Sequence, residues 1–185
     1  LFNRLHLKGA AFIRSILDFT VLNKVRLYIL RQWGNNLKKE YARYVSSVET
    51  GKKYIYVPLH WQPECTTSPL GDMFVAQILL VETLSASVPP DWVIYVKEHP
   101  FQWSVDGVTQ FTAMRYEGYY KKLAGLKSVR LVPIEMDSYA LLEHAEVVTT
   151  ITGRSGLEGV FRGIPGLIFG TPWYQGLPGT FMVHD

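Results

Sequence analysis

The run Thr149-Thr150-Ile151-Thr152-Gly153-Arg154-Ser155-Gly156-Leu157-Glu158-Gly159 passes from β-branched residues, through a turn rich in glycine and hydroxyls, into a helical pattern. Glycines there let the backbone approach a ligand closely, a helix start turns free N–H groups outward, and Thr152 and Ser155 add hydroxyls. Together they suit a monophosphate or a diphosphate. Arg154 adds positive charge, and Glu158, one turn into the helix, is spaced to reach a ribose diol. The segment is not a Walker loop, because no Gly-Lys-Ser/Thr follows, and it lacks the G-x-G-x-x-G spacing. A structural alternative covers two of these residues, since Ser155 and Glu158 also have the spacing of a capping box.

Two more polar clusters follow apolar runs. Lys97-Glu98-His99-Pro100 ends the run Trp92 to Lys97. His99 there could donate a hydrogen bond to phosphate, Lys97 could add charge, and Pro100 holds the backbone of His99 extended. The stretch from His60 to Gly71 follows Tyr54 to Leu59 and is longer than the usual strand-to-helix link of about two to six residues. It offers one carboxylate, Glu64, one amide, Gln62, and several hydroxyls, which suits hydrogen bonding to a sugar or to a developing charge. Its structural alternative is a surface loop that ends by capping the next helix.

Elements able to hold these clusters are legible in the pattern. Strands are expected at Tyr54 to Leu59, Trp92 to Lys97, Val129 to Val132, Val147 to Ile151 and Leu167 to Phe169. Helices are expected at Met73 to Ser87, Met114 to Leu126, Ser138 to His144 and Ser155 to Arg162. This alternation predicts right-handed crossovers and an α/β, Rossmann-like parallel sheet of about five strands with helices on both faces. Ligands of such sheets bind beyond the carboxyl ends of the strands, near the switch point in strand order. All three polar clusters fall at carboxyl ends.

Charge divides the chain in two. Residues 1–53 hold eleven Lys/Arg against Asp18, Glu40 and Glu49, a balance of +8, whereas residues 54–185 balance at −5. In the first region apolar residues from Phe12 to Leu30 recur at three- and four-residue steps between Arg and Lys, the pattern of basic amphipathic helices. Gly34-Asn35-Asn36 breaks it. The expected organisation is therefore a basic helical segment, 1–53, followed by a Rossmann-like domain, 54–185, that carries the three polar clusters. The basic helices either pack on another domain or make peripheral contact with an anionic membrane through residues 1–45. Nucleic acid is not an expected partner, because no binding module accompanies the basic residues and the rest of the chain is acidic.

Apolar residues make up 48% of the chain, which excludes disorder, yet charges interrupt every long apolar run, so no transmembrane helix is expected. The single cysteine, Cys65, can form neither an intramolecular disulfide nor a zinc cluster, which points to a reducing compartment. The cytoplasm, or the inner face of the cytoplasmic membrane, is the expected location. The chain opens with Leu1 and ends directly after an apolar stretch, as expected of a segment cut from a longer protein.

The order Gln62-Pro63-Glu64, Lys97-Glu98-His99-Pro100, Thr152 to Glu158 and Gly163-Ile164-Pro165 on successive strands resembles the bacterial capsular polysaccharide synthesis proteins, which include retaining β-Kdo transferases. The likeness spans roughly residues 54 to 175 and implies the C-terminal, donor-binding half of a GT-B glycosyltransferase. It implies a nucleotide-sugar donor, CMP-Kdo or another CMP-sugar, held as substrate with no separate cofactor and no metal, and a glycan or glycolipid acceptor. His99-Pro100 matches the family's His-Pro motif near the donor phosphate, and Thr152, Gly153, Arg154, Ser155, Gly156 and Glu158 match its nucleotide-binding segment, with Gln62 and Lys97 as further donor contacts. Glu64 stands where the family carries a catalytic Asp, so Glu64 and His99 are the implied catalytic residues. Related half-domains imply two enzymatic alternatives, a nucleotide-sugar 2-epimerase and a polyol-phosphate transferase. A non-catalytic domain in a glycan assembly complex is the alternative of another class.

Overall fold

The computed structural model describes residues 37–49, 51–62, 67–103 and 114–183, all within one compact unit, Leu37–Asp185. Its centre is a parallel sheet of six strands: β1 (Tyr54–Pro58), β2 (Val93–Lys97), β3 (Val129–Leu131), β4 (Val147–Thr150), β5 (Gly166–Ile168) and β6 (Thr180–Met182). The spatial order is β3-β2-β1-β4-β5-β6. This is the Rossmann order, in which the chain crosses from one half of the sheet to the other between β3 and β4, leaving β1 beside β4 at the switch point.

Side-chain alternation along the strands builds two cores. Ile55, Val57, Ile94, Val96, Val129 and Leu131 share one core with Leu37, Tyr41, Ile78, Val81, Leu84, Tyr119 and Leu123. Tyr54, Tyr56, Val93, Tyr95 and Val148 share the other with Leu141, Leu142 and Ile164. Strands buried on both faces need apolar or aromatic residues at every position, which is why Tyr54 to Val57 and Val93 to Val96 show no polar alternation. The helices that cover these faces are α1 (Leu37–Tyr44), α2 (Gln77–Ser87), α3 (Tyr119–Ala124), α4 (Ser138–Glu143) and α5 (Ser155–Val160). None of the described helices is long and apolar enough to cross a membrane.

Three features depart from the sequence expectation. Helix α1 lies in the stretch assigned to a basic helical segment ending at residue 53, but it packs into the sheet unit. Tyr41 donates its hydroxyl to Val132 O, and Glu40 accepts from the backbone N–H groups of Gly118 and Tyr120 at 3.0 Å each. Helix α3 starts at Tyr119 rather than Met114, because Gly118 adopts a left-handed φ of 85° that a continuing helix cannot pass through. The sixth strand, β6, pairs with β5 over three residues that are half-buried or exposed, so it lacks the buried apolar positions that mark the other strands. The amphipathic pattern from Phe12 to Leu30, and most of the proposed membrane-contact stretch, lie outside the described residues.

Candidate active site

An open cleft of about 630 Å³ lies at the carboxyl ends of β1, β2 and β4, at the switch point. The turn between β4 and α5 supplies Thr152, Gly153, Arg154, Ser155 and Glu158; the end of β1 supplies Tyr56, Leu59, His60 and Trp61; His99 follows β2; Ser138 and Tyr139 open α4; and Trp173 comes from the loop after β5. Six of the residues singled out from sequence therefore share one cavity: His99, Thr152, Gly153, Arg154, Ser155 and Glu158.

The capping-box alternative for Ser155 and Glu158 is not formed. Arg154 holds the N-cap position of α5, no side chain caps it, and Ser155 begins the helix. Among the described residues, the side chains of Arg154, Ser155 and Glu158 make no hydrogen bond or ion pair, so no structural duty accounts for these polar groups at the cleft. Gly153 does answer a steric demand. A Cβ there would sit 2.6 Å from His60 Cε1 and 2.8 Å from Thr150 Oγ1.

Three selected residues are placed elsewhere. Gly156 faces away from the cleft into the packing of α5, where a Cβ would meet Tyr174 Oη at 2.7 Å, Ile168 Cδ1 at 2.8 Å and Thr150 Cγ2 at 2.9 Å. Lys97 is buried and donates from Nζ to Met136 O and to Ser138 Oγ (2.7 Å), so it ties β2 to the start of α4. Gln62 is buried, donating to Val75 O at 3.0 Å and accepting from Arg115 at 2.9 Å. Glu64 lies outside the described residues.

Residues 24–180 match the family model for the capsule polysaccharide biosynthesis protein. The chain belongs to this family. It is 30% identical over 87 residues to the capsule polysaccharide modification protein LipA of Neisseria meningitidis serogroup B (strain ATCC BAA-335 / MC58), a stretch that makes up 47% of this chain and 11% of LipA. Among solved structures it resembles the beta Kdo 2,7 transferase of Thermosulfurimonas dismutans KpsC, with a TM-score of 0.56 and 20% identity over 87% of this chain and 46% of that one. It also resembles the KpsC beta Kdo 2,4 transferase, with a TM-score of 0.54 and 21% identity over 76% and 40%. These structural likenesses establish a shared GT-B, Rossmann-like fold. The chain spans less than half the length of each of these relatives.

In this member of the family, the cleft rests on a buried polar layer that sequence reasoning missed. Glu98, the residue before His99, forms a fully buried ion pair with Arg115 at 2.8 Å. Glu98 also accepts from the Tyr120 hydroxyl at 2.6 Å and from the His99 backbone N–H at 2.8 Å, while its own N–H donates to Tyr41 Oη at 3.1 Å. Arg115 continues to His60 O at 3.2 Å and lies 4.8 Å from the centre of the Tyr119 ring. Such a pair persists only where further hydrogen bonds meet its remaining donors and lone pairs, as they do here.

Two glutamines complete the layer. Gln77 accepts from His60 N–H at 2.8 Å and donates to His60 O at 3.0 Å; Gln102 does the same for Gln62, at 3.0 Å in each direction. Each amide imitates a neighbouring strand, so the chain leaving β1 is held in register beyond the end of the sheet. The His60 ring is fixed as well. Ile151 N–H donates to its Nε2 at 3.2 Å, and Thr150 Oγ1 lies 3.0 Å from the same nitrogen while accepting from Gly153 N–H at 3.1 Å. Burial pushes the Tyr56 hydroxyl, enclosed in the wall of the cleft, up to about 12. Burial moves Lys97 in the opposite direction, below its ordinary value, in keeping with a tether between elements. The main partners of this layer are far apart in sequence, 17 residues for Glu98 with Arg115, 55 for Arg115 with His60 and 57 for Glu98 with Tyr41, which is why no local motif announces them.

Proposed function

We propose that the chain is the donor-binding half of a glycosyltransferase of surface polysaccharide synthesis. It moves a sugar from a nucleotide donor, a CMP-sugar such as CMP-Kdo, to a glycan or glycolipid acceptor. One observation carries this reading: Arg154, Ser155 and Glu158 of the β4–α5 turn gather at a switch-point cleft where, among the described residues, their side chains make no hydrogen bond or ion pair. Family membership and the transferase-like fold support it.

In the transfer, the bond between the anomeric carbon and the donor phosphate breaks, and negative charge grows on the leaving phosphate. His99, Arg154 and the Ser155 hydroxyl stabilise that charge without a metal ion, while the Thr152 hydroxyl is buried behind the turn, and Glu158 takes the ribose diol. Glu64 is assigned the attack on the anomeric carbon, forming a glycosyl-enzyme that the acceptor hydroxyl then displaces, so that two inversions give net retention. Acceptor recognition is assigned to a part of the protein beyond this chain. The reaction is placed in the cytoplasm, at the inner face of the membrane.

Thermal unfolding with CMP, CDP, UMP and UDP tests the proposal. CMP at a hundred times its dissociation constant is expected to stabilise the chain by about 2.7 kcal/mol, and His99→Ala and Ser155→Ala to reduce that shift. A shift selective for UDP would replace the donor assignment. A shift with no nucleotide would refute the proposal.

A further inference from the structure

The loop after β5 carries a tryptophan that the fold leaves in the open. Trp173 is 79% exposed, and it lines the cleft beside Arg154 and Ser155. Single exposed aromatic residues are ordinary on protein surfaces, so exposure alone assigns nothing. Its neighbours change the picture. Thr171 N–H donates to Leu70 O at 3.0 Å and its hydroxyl reaches the same carbonyl at 3.2 Å, Pro172 stiffens the next position, and Gln175 N–H closes the turn onto Pro172 O at 3.0 Å. Tyr174 is 1% exposed, donates its hydroxyl to Gly153 O, and meets the Trp173 ring edge-on with centroids 5.6 Å apart. Gly156 makes this possible, because any side chain there would collide with the Tyr174 hydroxyl.

The loop that carries this large apolar ring is thus anchored at the cleft and coupled through Tyr174 to the turn that carries the polar groups. We propose that Trp173 is the stacking platform for the nucleobase of the donor, an inference that rests on the nucleotide-sugar reading above. Anchoring the loop before binding lowers the ordering cost of the complex, and a flat π-face accepts a base of any identity. Trp173 therefore supplies affinity for the nucleoside end of the donor, while discrimination between bases falls to polar groups around it. The half-exposed Tyr139, whose ring carries Arg162 at 4.9 Å, lines the same cleft and bounds the space left for the base.

The experiment is isothermal titration of the full chain with CMP and with ribose 5-phosphate, which has the sugar and phosphate but no base. It uses wild type, Trp173→Ala and Trp173→Phe. Removing the ring is expected to weaken CMP about tenfold or more, with Phe recovering part of the loss and ribose 5-phosphate affected less than twofold. Tryptophan emission should be quenched by CMP in the wild type, and by less in Trp173→Phe. Equal CMP affinity in wild type and Trp173→Ala would overturn the inference and leave the nucleotide reading standing. Equal weakening of CMP and ribose 5-phosphate would also overturn it, assigning Trp173 to the sugar or phosphate. Failure of wild type to bind CMP, UMP or their diphosphates would overturn both.

Discussion

The buried layer beneath the cleft and the lining of the cleft use similar residue types in opposite ways. In the layer, Glu98, Arg115, Gln62, Gln77, Gln102 and Tyr120 are buried and joined to one another or to backbone groups of the segments that leave β1 and β2. In the lining, Arg154, Ser155 and Glu158 carry comparable polar groups without a protein partner. An arginine in the first setting is part of the fold, whereas an arginine in the second is available to a ligand. Adjacent residues can fall on different sides of this division: within Lys97-Glu98-His99-Pro100, the first two are buried in support and the third reaches the cleft.

The contrast breaks most visibly at the ion pair. Glu98→Ala or Arg115→Ala leaves an uncompensated buried charge and is expected to cost about 3–5 kcal/mol in urea unfolding. Alkaline pH probes the same region through tyrosines. Burial holds Tyr54, Tyr56 and Tyr119 near 12 and raises Tyr41, Tyr120 and Tyr174 as well. The folded state keeps these phenols protonated, so their contribution is complete below about pH 10, where the unfolded phenols begin to ionise, and is lost as pH rises towards 12. Urea midpoints taken from pH 8 to pH 11 should fall beyond pH 10; a flat profile would contradict the burial of these rings.

A smaller steric effect separates two glycines. A Cβ at Gly159 would lie 2.4 Å from Val148 Cγ1, so Gly159→Ala should cost about 1–3 kcal/mol by overpacking. Gly163→Ala meets open space and pays only for its φ of 78°, about 1 kcal/mol. Least disturbing to the fold are changes in the lining. Ser155→Ala and Glu158→Gln are expected to leave stability within about 0.5 kcal/mol while weakening nucleotide binding severalfold. A lining substitution that unfolds the chain would erase the distinction between the two regions.

The sheet was legible because parallel strands buried on both faces are continuous apolar runs, and because glycine and proline mark their ends. The strands expected at Tyr54 and Trp92 lie within one or two residues of β1 and β2. The lining was legible for a related reason, since residues immediately after a strand stay at its carboxyl end. Gly153, Arg154, Ser155 and Glu158 needed only β4 and α5 to be placed. What could not be read depends on distance in sequence. Arg115 reaches Glu98 and His60 only once the chain has folded. Lys97 and Gln62 look like ligand groups in sequence because burial, which makes them tethers, is a tertiary property.

The central claim is that the switch-point cleft binds the donor nucleotide. Amide hydrogen exchange of the full chain, with and without saturating CMP, tests it most directly. Protection is predicted in the segments holding Thr152–Glu158 and His99, with little change in the second, apolar cleft lined by Met73, Phe74, Phe169 and Met182. Protection confined to that second cleft, or none at any segment, would contradict the account.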